Sequence, residues 1–182
     1  MTFDPIIDGE RLWAVRFDGM TDNVLNLLFK KWRDITWLQS FFKENINDLS
    51  VYFKITDVDK AIFDTIEDAD KLACLILDIS PDADLDKLFR PLDNNRTSEM
   101  TLGKEKARIR NRPKHASWLR IYAIKLCKGL YIITGGAIKL TKDMQDRDHT
   151  LNELKQMEKV RSFLLNKGIV DDDGFKDYLK DL

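Results

Sequence analysis

Hydrophobic residues recur with two different periods along the chain, and the change of period predicts an order of elements. Strand-type alternation covers residues 11–17. From Thr21 to about residue 80 the apolar positions follow the 3.6-residue period of amphipathic helices. Alternation returns at 106–111, 117–126 and 130–135, with an extension towards 140, and helical spacing resumes at Thr150. The pattern predicts a strand, several helices, a three-strand meander and C-terminal helices.

Turn and capping residues support these boundaries. Pro81 ends the second helical stretch, and residues 127–129, Cys-Lys-Gly, form a plausible hairpin turn. Thr150 and Glu153 have the spacing of a capping box, which predicts a helix start. Residues 50–55 fit a short strand or a connector equally well. We therefore expect a single α+β domain, residues 1–182, with a small antiparallel sheet and helices packed against one of its faces.

Composition indicates an ordinary globular protein. The chain has 182 residues, of which 43% are hydrophobic and 34% charged, with a formal net charge of −1. No segment reads as a signal peptide or a membrane span, so no membrane partner is expected. Cys74 and Cys127 lack the spacing of a zinc or redox motif, which favours buried free thiols in the cytoplasm.

Charge is segregated along the chain. Residues 44–93 contain thirteen acids and five bases, whereas residues 96–128 contain ten bases and two acids. Two explanations remain open. The halves neutralise each other across a packed interface, or the acidic helix shields a basic face until a ligand displaces it. The acids that would form such a shield are Asp57, Asp59, Asp64 and Asp68.

The basic half carries the most specific chemistry. Cations alternate there with apolar residues, as in Arg108-Ile109-Arg110 and Leu119-Arg120-Ile121. Alternation on a strand sends the cations to one face. A sheet face covered with Arg and Lys suits nucleic-acid phosphates, although a solvated face without a ligand has the same composition.

Other motifs give no catalytic or metal signature, so no cofactor and no metal are expected. Lys87 stands where a calcium loop beginning at Asp82 needs glycine. Gly135-Gly136 either brings the backbone close to a ligand or marks a bulge at a strand end. Trp118 is a core residue on one interpretation and a platform for a stacked nucleotide on the other.

Three segments resemble the RelE/HigB superfamily of toxin–antitoxin ribonucleases, including phage-derived HigB-like proteins. Lys106-Ala-Arg-Ile-Arg110 is similar to the family's basic strand, and Leu119-Arg-Ile-Tyr-Ala-Ile124 to the strand that follows it. Residues 130–142, with Gly-Gly-Ala-Ile-Lys, resemble the last strand and its basic extension, and the helix at Asn152 takes the place of the C-terminal helix.

The resemblance implies a RelE/ParE-like core formed by about 11–34 and 82–167. Residues 35–81 are then a helical insertion, and 168–182 form a terminal helix. It also implies metal-free, ribosome-dependent cleavage of mRNA by 2′-OH attack in the cytoplasm, and a cognate antitoxin with a helix-turn-helix.

The resemblance and the residue types together suggest a set of site residues. The catalytic candidates are Arg108, Arg110 and Arg120, which would stabilise the phosphorane, and His115, because histidine transfers protons best near neutrality. His115 could instead be a solvated residue in a loop. His149, the other histidine, precedes Thr150 and could belong to the start of that helix. The nucleic-acid-binding candidates are Lys106, Arg112, Lys139, Lys142 and Trp118. Because the family's usual acid/base residue has only a loose match here, a non-catalytic module that binds nucleic acid or protein through the same face is the alternative.

Overall fold

A computed structural model describes residues 1–7, 9–78, 83–93, 102–109 and 115–181. The helices and strands within these ranges follow the predicted order, with two short strands, β1 and β3, in addition. The strands are β1 (Thr2–Pro5), β2 (Leu12–Arg16), β3 (Arg90–Pro91), β4 (Gly103–Ala107), β5 (Leu119–Cys127) and β6 (Leu130–Ile138). The helices are α1 (Val24–Trp32), α2 (Ile35–Glu44), α3 (Ile46–Phe53), α4 (Val58–Leu77), α5 (Leu85–Leu88), α6 (Asp148–Asn166) and α7 (Asp172–Lys180).

The helix starts have identifiable caps. Asn23, Asp34, Asp57 and Asp171 each accept a hydrogen bond from a first-turn backbone N–H of α1, α2, α4 and α7 respectively. The predicted capping box at Thr150 is wrong. Helix α6 begins two residues earlier, and the Thr150 hydroxyl donates to the carbonyl oxygens of the preceding turn.

The six strands form one mixed sheet in the order β1-β2-β6-β5-β4-β3. The α+β class is confirmed, but the prediction of a purely antiparallel sheet is wrong because β2 pairs with β6 in parallel. The uncertain stretch 50–55 is helical as far as Phe53. Strand β4 lies three residues earlier than predicted. The hairpin turn after Cys127 is confirmed, and Gly129 adopts a φ of 75° there.

Helices cover both faces of the sheet, not one as predicted. A side chain at Gly136 would meet Leu28 and Trp32 of α1, whereas a side chain at Gly135 would meet Glu153 of α6. All of β6 is buried, and β5 is buried except at Arg120 and Cys127. Burial on both faces explains why these strands read as almost continuous apolar runs.

Two further expectations can be compared with the fold. Among the helices of the described ranges, none combines the length and apolar character that a bilayer span requires. Both cysteines are free thiols, but Cys74 is exposed on α4, so its predicted burial is wrong. The division into a core and an insertion at 35–81 stays a prediction.

Candidate nucleic-acid interface

A cleft of about 1170 Å3 opens on the α6 side of the sheet. Strands β4 and β5 form its floor, and its walls come from α6 and from the segment after β6. Three acids line it, Asp93, Glu105 and Asp143. The basic residues that line it are Arg90, Lys104, Lys106, Arg108, Arg120, Lys139, Lys142 and Arg161.

The structure therefore brings five of the predicted site residues together. These are Lys106, Arg108, Arg120, Lys139 and Lys142. Strand register explains the convergence, because Lys106 pairs with Tyr122 across β4 and β5, and Arg120 pairs with Ala137 across β5 and β6. Arg110 and Arg112, the other two predicted arginines, lie outside the described residues.

Backbone carbonyl oxygens accept hydrogen bonds from three of the cleft cations. Arg120 Nη1 donates to the carbonyl oxygens of Ser117 at 2.6 Å and Leu119 at 2.7 Å. Lys139 Nζ donates to Thr141 O at 2.9 Å, and Lys106 Nζ to Leu92 O at 2.9 Å. These contacts fix the side chains without neutralising them.

Five cations of the cleft lack a carboxylate partner among the residues that the structure describes. They are Arg90, Arg108, Arg120, Lys139 and Lys142. Arg120 is the half-buried position of an otherwise buried strand segment, so its charge is partly desolvated as well as unpaired. A partly buried, unpaired charge is costly unless a ligand supplies the opposite charge.

The cations also perturb one another. Burial, and then repulsion from Arg108, lowers the pKa of Arg120 to about 10. Burial is likewise the first cause that lowers the pKa of Lys106, followed by Arg120, Lys139 and Arg108. The pKa of Lys139 is lowered by burial and by Arg120, with Asp143 opposing the shift. A bound anion would relieve this repulsion, and such clusters are typical of ligand sites.

Tyr122 lies under the cationic cluster. Its side chain is fully buried, and within the described ranges its hydroxyl has no hydrogen-bond partner. Burial raises the pKa of the phenol, and the nearby Arg120 opposes that shift. A neutral hydroxyl is therefore available beside the guanidinium group.

Glu153 packs against β6 and does not cap a helix as predicted. Its Oε2 atom lies 2.1 Å from where the Cβ of a residue at position 135 would be, so only glycine fits there. Gly136 supplies a backbone hydrogen bond to the carboxylate. Burial raises the pKa of Glu153 to about 7, and Lys31 opposes the shift.

The two consecutive glycines thus serve close helix packing on both faces. The register of β5 and β6 shifts between Tyr122 and Ala123, so the irregularity lies within β6 and not at a strand end as predicted. The capping-box spacing predicted that the Glu153 carboxylate caps a helix, and it gave no indication that this side chain packs against β6. In the sequence, the Gly135-Gly136 pair is the feature that indicates close packing of helices on this strand.

Trp118 does not form a nucleotide platform, and that prediction is wrong. The side chain is fully buried, and its Nε1–H donates to Thr65 Oγ1 of α4 at 2.9 Å. Phe42 and Phe53 pack edge-on against the indole. Trp118 anchors the sheet to the helical layer.

His115 lies outside the cleft, so the structure does not support its predicted catalytic role. Its Nε2 atom is 2.9 Å from Asp64 Oδ2, and its ring stacks on Trp118 with 4.6 Å between centroids. His149 is also structural, because its Nε2 lies 2.9 Å from Ile138 O and its ring meets Phe41 edge-on. Neither histidine borders the cationic cluster.

Within the described residues, none of the four candidate shielding acids, Asp57, Asp59, Asp64 and Asp68, lines the cleft. Asp57 caps α4, while Asp64 contacts Lys60 and His115. Asp93, from the same acidic part of the chain, does line the cleft, so shielding by residues 44–93 stays a hypothesis.

Across the residues described, no group of three His, Cys, Asp or Glu side chains could hold a metal ion. Comparison of the chain with known protein families, with curated proteins and with solved structures gives no match. The geometry and chemistry of the cleft therefore carry the functional argument.

Proposed function

We propose that the cleft binds the sugar–phosphate backbone of RNA, and that the chain cleaves mRNA there as a RelE/HigB-like toxin. The supporting observation is the convergence of Arg108, Arg120, Lys139 and Lys142 on one cleft with no carboxylate partner among the described residues. Arginine suits this task because its planar fork binds two phosphate oxygens at once.

The proposed reaction uses the substrate's own nucleophile. The ribose 2′-OH attacks the adjacent phosphorus, a P–O2′ bond forms and the P–O5′ bond breaks, which leaves a 2′,3′-cyclic phosphate and a 5′-hydroxyl. Arg108 and Arg120 stabilise the negative charge that develops on the phosphorane oxygens. This electrostatic contribution is the part of the reaction that the cleft supports best.

Lysines of the same cluster take the proton-transfer roles in this proposal. Burial and the neighbouring cations lower the pKa of Lys106, so its ammonium group gives up a proton more readily than that of an ordinary lysine, and the amine so formed accepts the 2′-OH proton. The lowered pKa of Lys139 makes its ammonium group a better acid for the departing O5′. This assignment requires no histidine, in keeping with the positions of His115 and His149.

The decisive experiment compares wild type with the double variant Arg108→Ala, Arg120→Ala during induced expression in bacteria. Wild type should arrest growth and produce cuts in translated mRNA, and the double variant should do neither. The control is Arg16→Ala, Arg33→Ala, which removes two arginines from surface ion pairs with Asp4 and Asp70. That control should behave as wild type.

The alternative is a non-catalytic module that uses the same cleft, and the placement of both histidines outside the cluster favours it. Its signature is RNA binding that weakens steeply with salt, without cuts on translating ribosomes. Harmless expression of wild type together with intact RNA binding would select this alternative.

The toxin proposal also includes cytoplasmic location, mRNA on the ribosome as substrate and a helix-turn-helix antitoxin as partner. A short reading frame next to the gene that encodes such an antitoxin would support it. Co-expression of that product should then abolish growth arrest.

A further inference from the structure

Basic side chains occupy every second position along β4 and its continuation. Lys104 and Lys106 pair with Ile124 and Tyr122 of β5, which places them on the same face as Arg120, and Arg108 follows directly after the strand. Alternate residues of a strand lie ~7 Å apart. The three cations therefore form a regular row along the floor of the cleft.

The two ends of this row differ in charge pairing. At the outer end, Lys104 Nζ lies 2.6 Å from Glu158 Oε2 on α6. Arg161 Nη1, one turn further along that helix, lies 3.3 Å from Glu158 Oε1. At the inner end, Arg108 has no carboxylate partner among the described residues. One carboxylate thus bridges the two outer cations, as a phosphate group would.

We propose that the row along β4 binds three consecutive phosphates of an extended single strand, and that Glu158 occupies the outermost phosphate position until the strand displaces it. This inference rests on the proposed RNA-binding function. It adds the path and minimum length of the ligand, and a residue of the chain that competes with it.

The spacing and the exposure of the groups support this path. Consecutive phosphates of a stretched nucleic-acid strand are separated by about the same distance as alternate residues of a β-strand, so each cation meets one phosphate. Glu158 is 46% exposed, and an exposed ion pair breaks at little cost, so the carboxylate can leave when a phosphate arrives. Arg108, at the inner end of the row, accepts a phosphate without displacing a carboxylate of the described residues.

The test compares two probes that differ in length. Uridine 3′,5′-bisphosphate occupies the inner positions only, whereas 2′-O-methyl hexauridylate spans the whole row and has no 2′-OH to react. Binding is measured by calorimetry and by fluorescence anisotropy for wild type, Glu158→Gln and Lys104→Gln. The matched control is Asp177→Asn, which removes one carboxylate from an exposed ion pair with Lys180 on α7, outside the cleft.

Glu158→Gln should tighten hexamer binding about threefold and leave bisphosphate binding unchanged. Lys104→Gln should weaken only the hexamer, and Asp177→Asn should change neither probe. Equal shifts of both probes in Glu158→Gln, or no shift of the hexamer, would overturn the inference while the proposed RNA binding stands. If wild type binds neither probe, the proposed function fails and the inference fails with it.

Discussion

Arg120 and Lys125 lie on the same strand, β5, and differ in how their charges are met. Lys125 is 7% exposed, and its Nζ lies 2.8 Å from Asp86 Oδ1. Tyr131 donates a hydrogen bond to the same carboxylate. Arg120, five residues earlier and on the other face, donates to two carbonyl oxygens, has no carboxylate partner among the described residues, and is repelled by Arg108.

The difference separates a structural charge from a binding charge. A buried cation that stabilises a fold requires a counter-charge, and Lys125 has one in Asp86. The fold instead gathers further cations around Arg120, at an electrostatic cost that only an external anion removes. Whether a cation has a carboxylate partner is therefore more informative about its function than its position on a strand.

Replacing Lys125 with methionine should give the largest loss of stability. Lys125→Met leaves the Asp86 carboxylate without its cation, and breaking such a pair costs about 3 kcal/mol. Urea unfolding monitored by circular dichroism measures the loss. Under native conditions the folded variant should bind 2′-O-methyl hexauridylate as wild type does. If Lys125→Met keeps its stability but loses RNA affinity, Lys125 is a binding residue and not a structural one.

The matching change on the other face should have the opposite profile. Arg120→Met removes a charge-assisted phosphate contact, worth about 2 kcal/mol or ~30-fold in RNA affinity. Its stability should stay equal or rise, because repulsion from Arg108 and Lys106 disappears. Anisotropy titration and urea unfolding of the same preparation give both numbers. Loss of stability with unchanged affinity would show that Arg120 is structural.

Glu153 extends the comparison to an acid, and its effect depends on pH. Its ordinary pKa of 4.5 rises to about 7 in the fold. Between these values the folded state holds a proton that the unfolded state has released, so this group lowers stability as pH rises from about 4.5 to about 7.

Glu153→Gln keeps the acceptor for the Gly136 N–H and removes the charge. Relative to wild type, the variant should gain about 3 kcal/mol at pH 8 and almost nothing at pH 4. Thermal unfolding over this pH range measures the gain. An advantage that stays constant with pH would contradict the assigned pKa.

Trp118→Phe should give the smallest change and tests the corrected role of this side chain. Loss of the hydrogen bond to Thr65 costs about 1 kcal/mol in the free energy of unfolding. RNA affinity should stay at the wild-type value, because the indole is fully buried. A large loss of affinity at full stability would restore the nucleotide-platform interpretation.

Periodicity and capping residues predicted most of the fold, because they report local geometry. The long helix α4 and the hairpin of β5 and β6 have strong local signals. Strands β1 and β3 were missed, since Thr2–Pro5 and Arg90–Pro91 are short and contain proline. The parallel pairing of β2 with β6 depends on contacts far apart in sequence, which no local pattern records.

The candidate site was predicted in part, for a similar reason. Alternation on the strands placed Lys106 and Arg120 on one face, which the structure shows. The pairing of His115 with Asp64 and the docking of Glu153 on Gly135 are tertiary contacts, and residue type alone suggested other roles for both. That Arg108 and Arg120 have no carboxylate partner among the described residues likewise becomes visible only once the fold is known.

The salt dependence of RNA binding tests the central claim most directly. The logarithm of the binding constant of 2′-O-methyl hexauridylate is measured against the logarithm of salt concentration, for wild type and Arg120→Met. Each phosphate contact to a single strand contributes about −0.7 to this slope. Three to four contacts therefore predict a slope of about −2 to −3 for wild type, and the loss of one contact makes the slope of the variant shallower by about 0.7. A flat wild-type response, or the same slope in both proteins, would contradict the account.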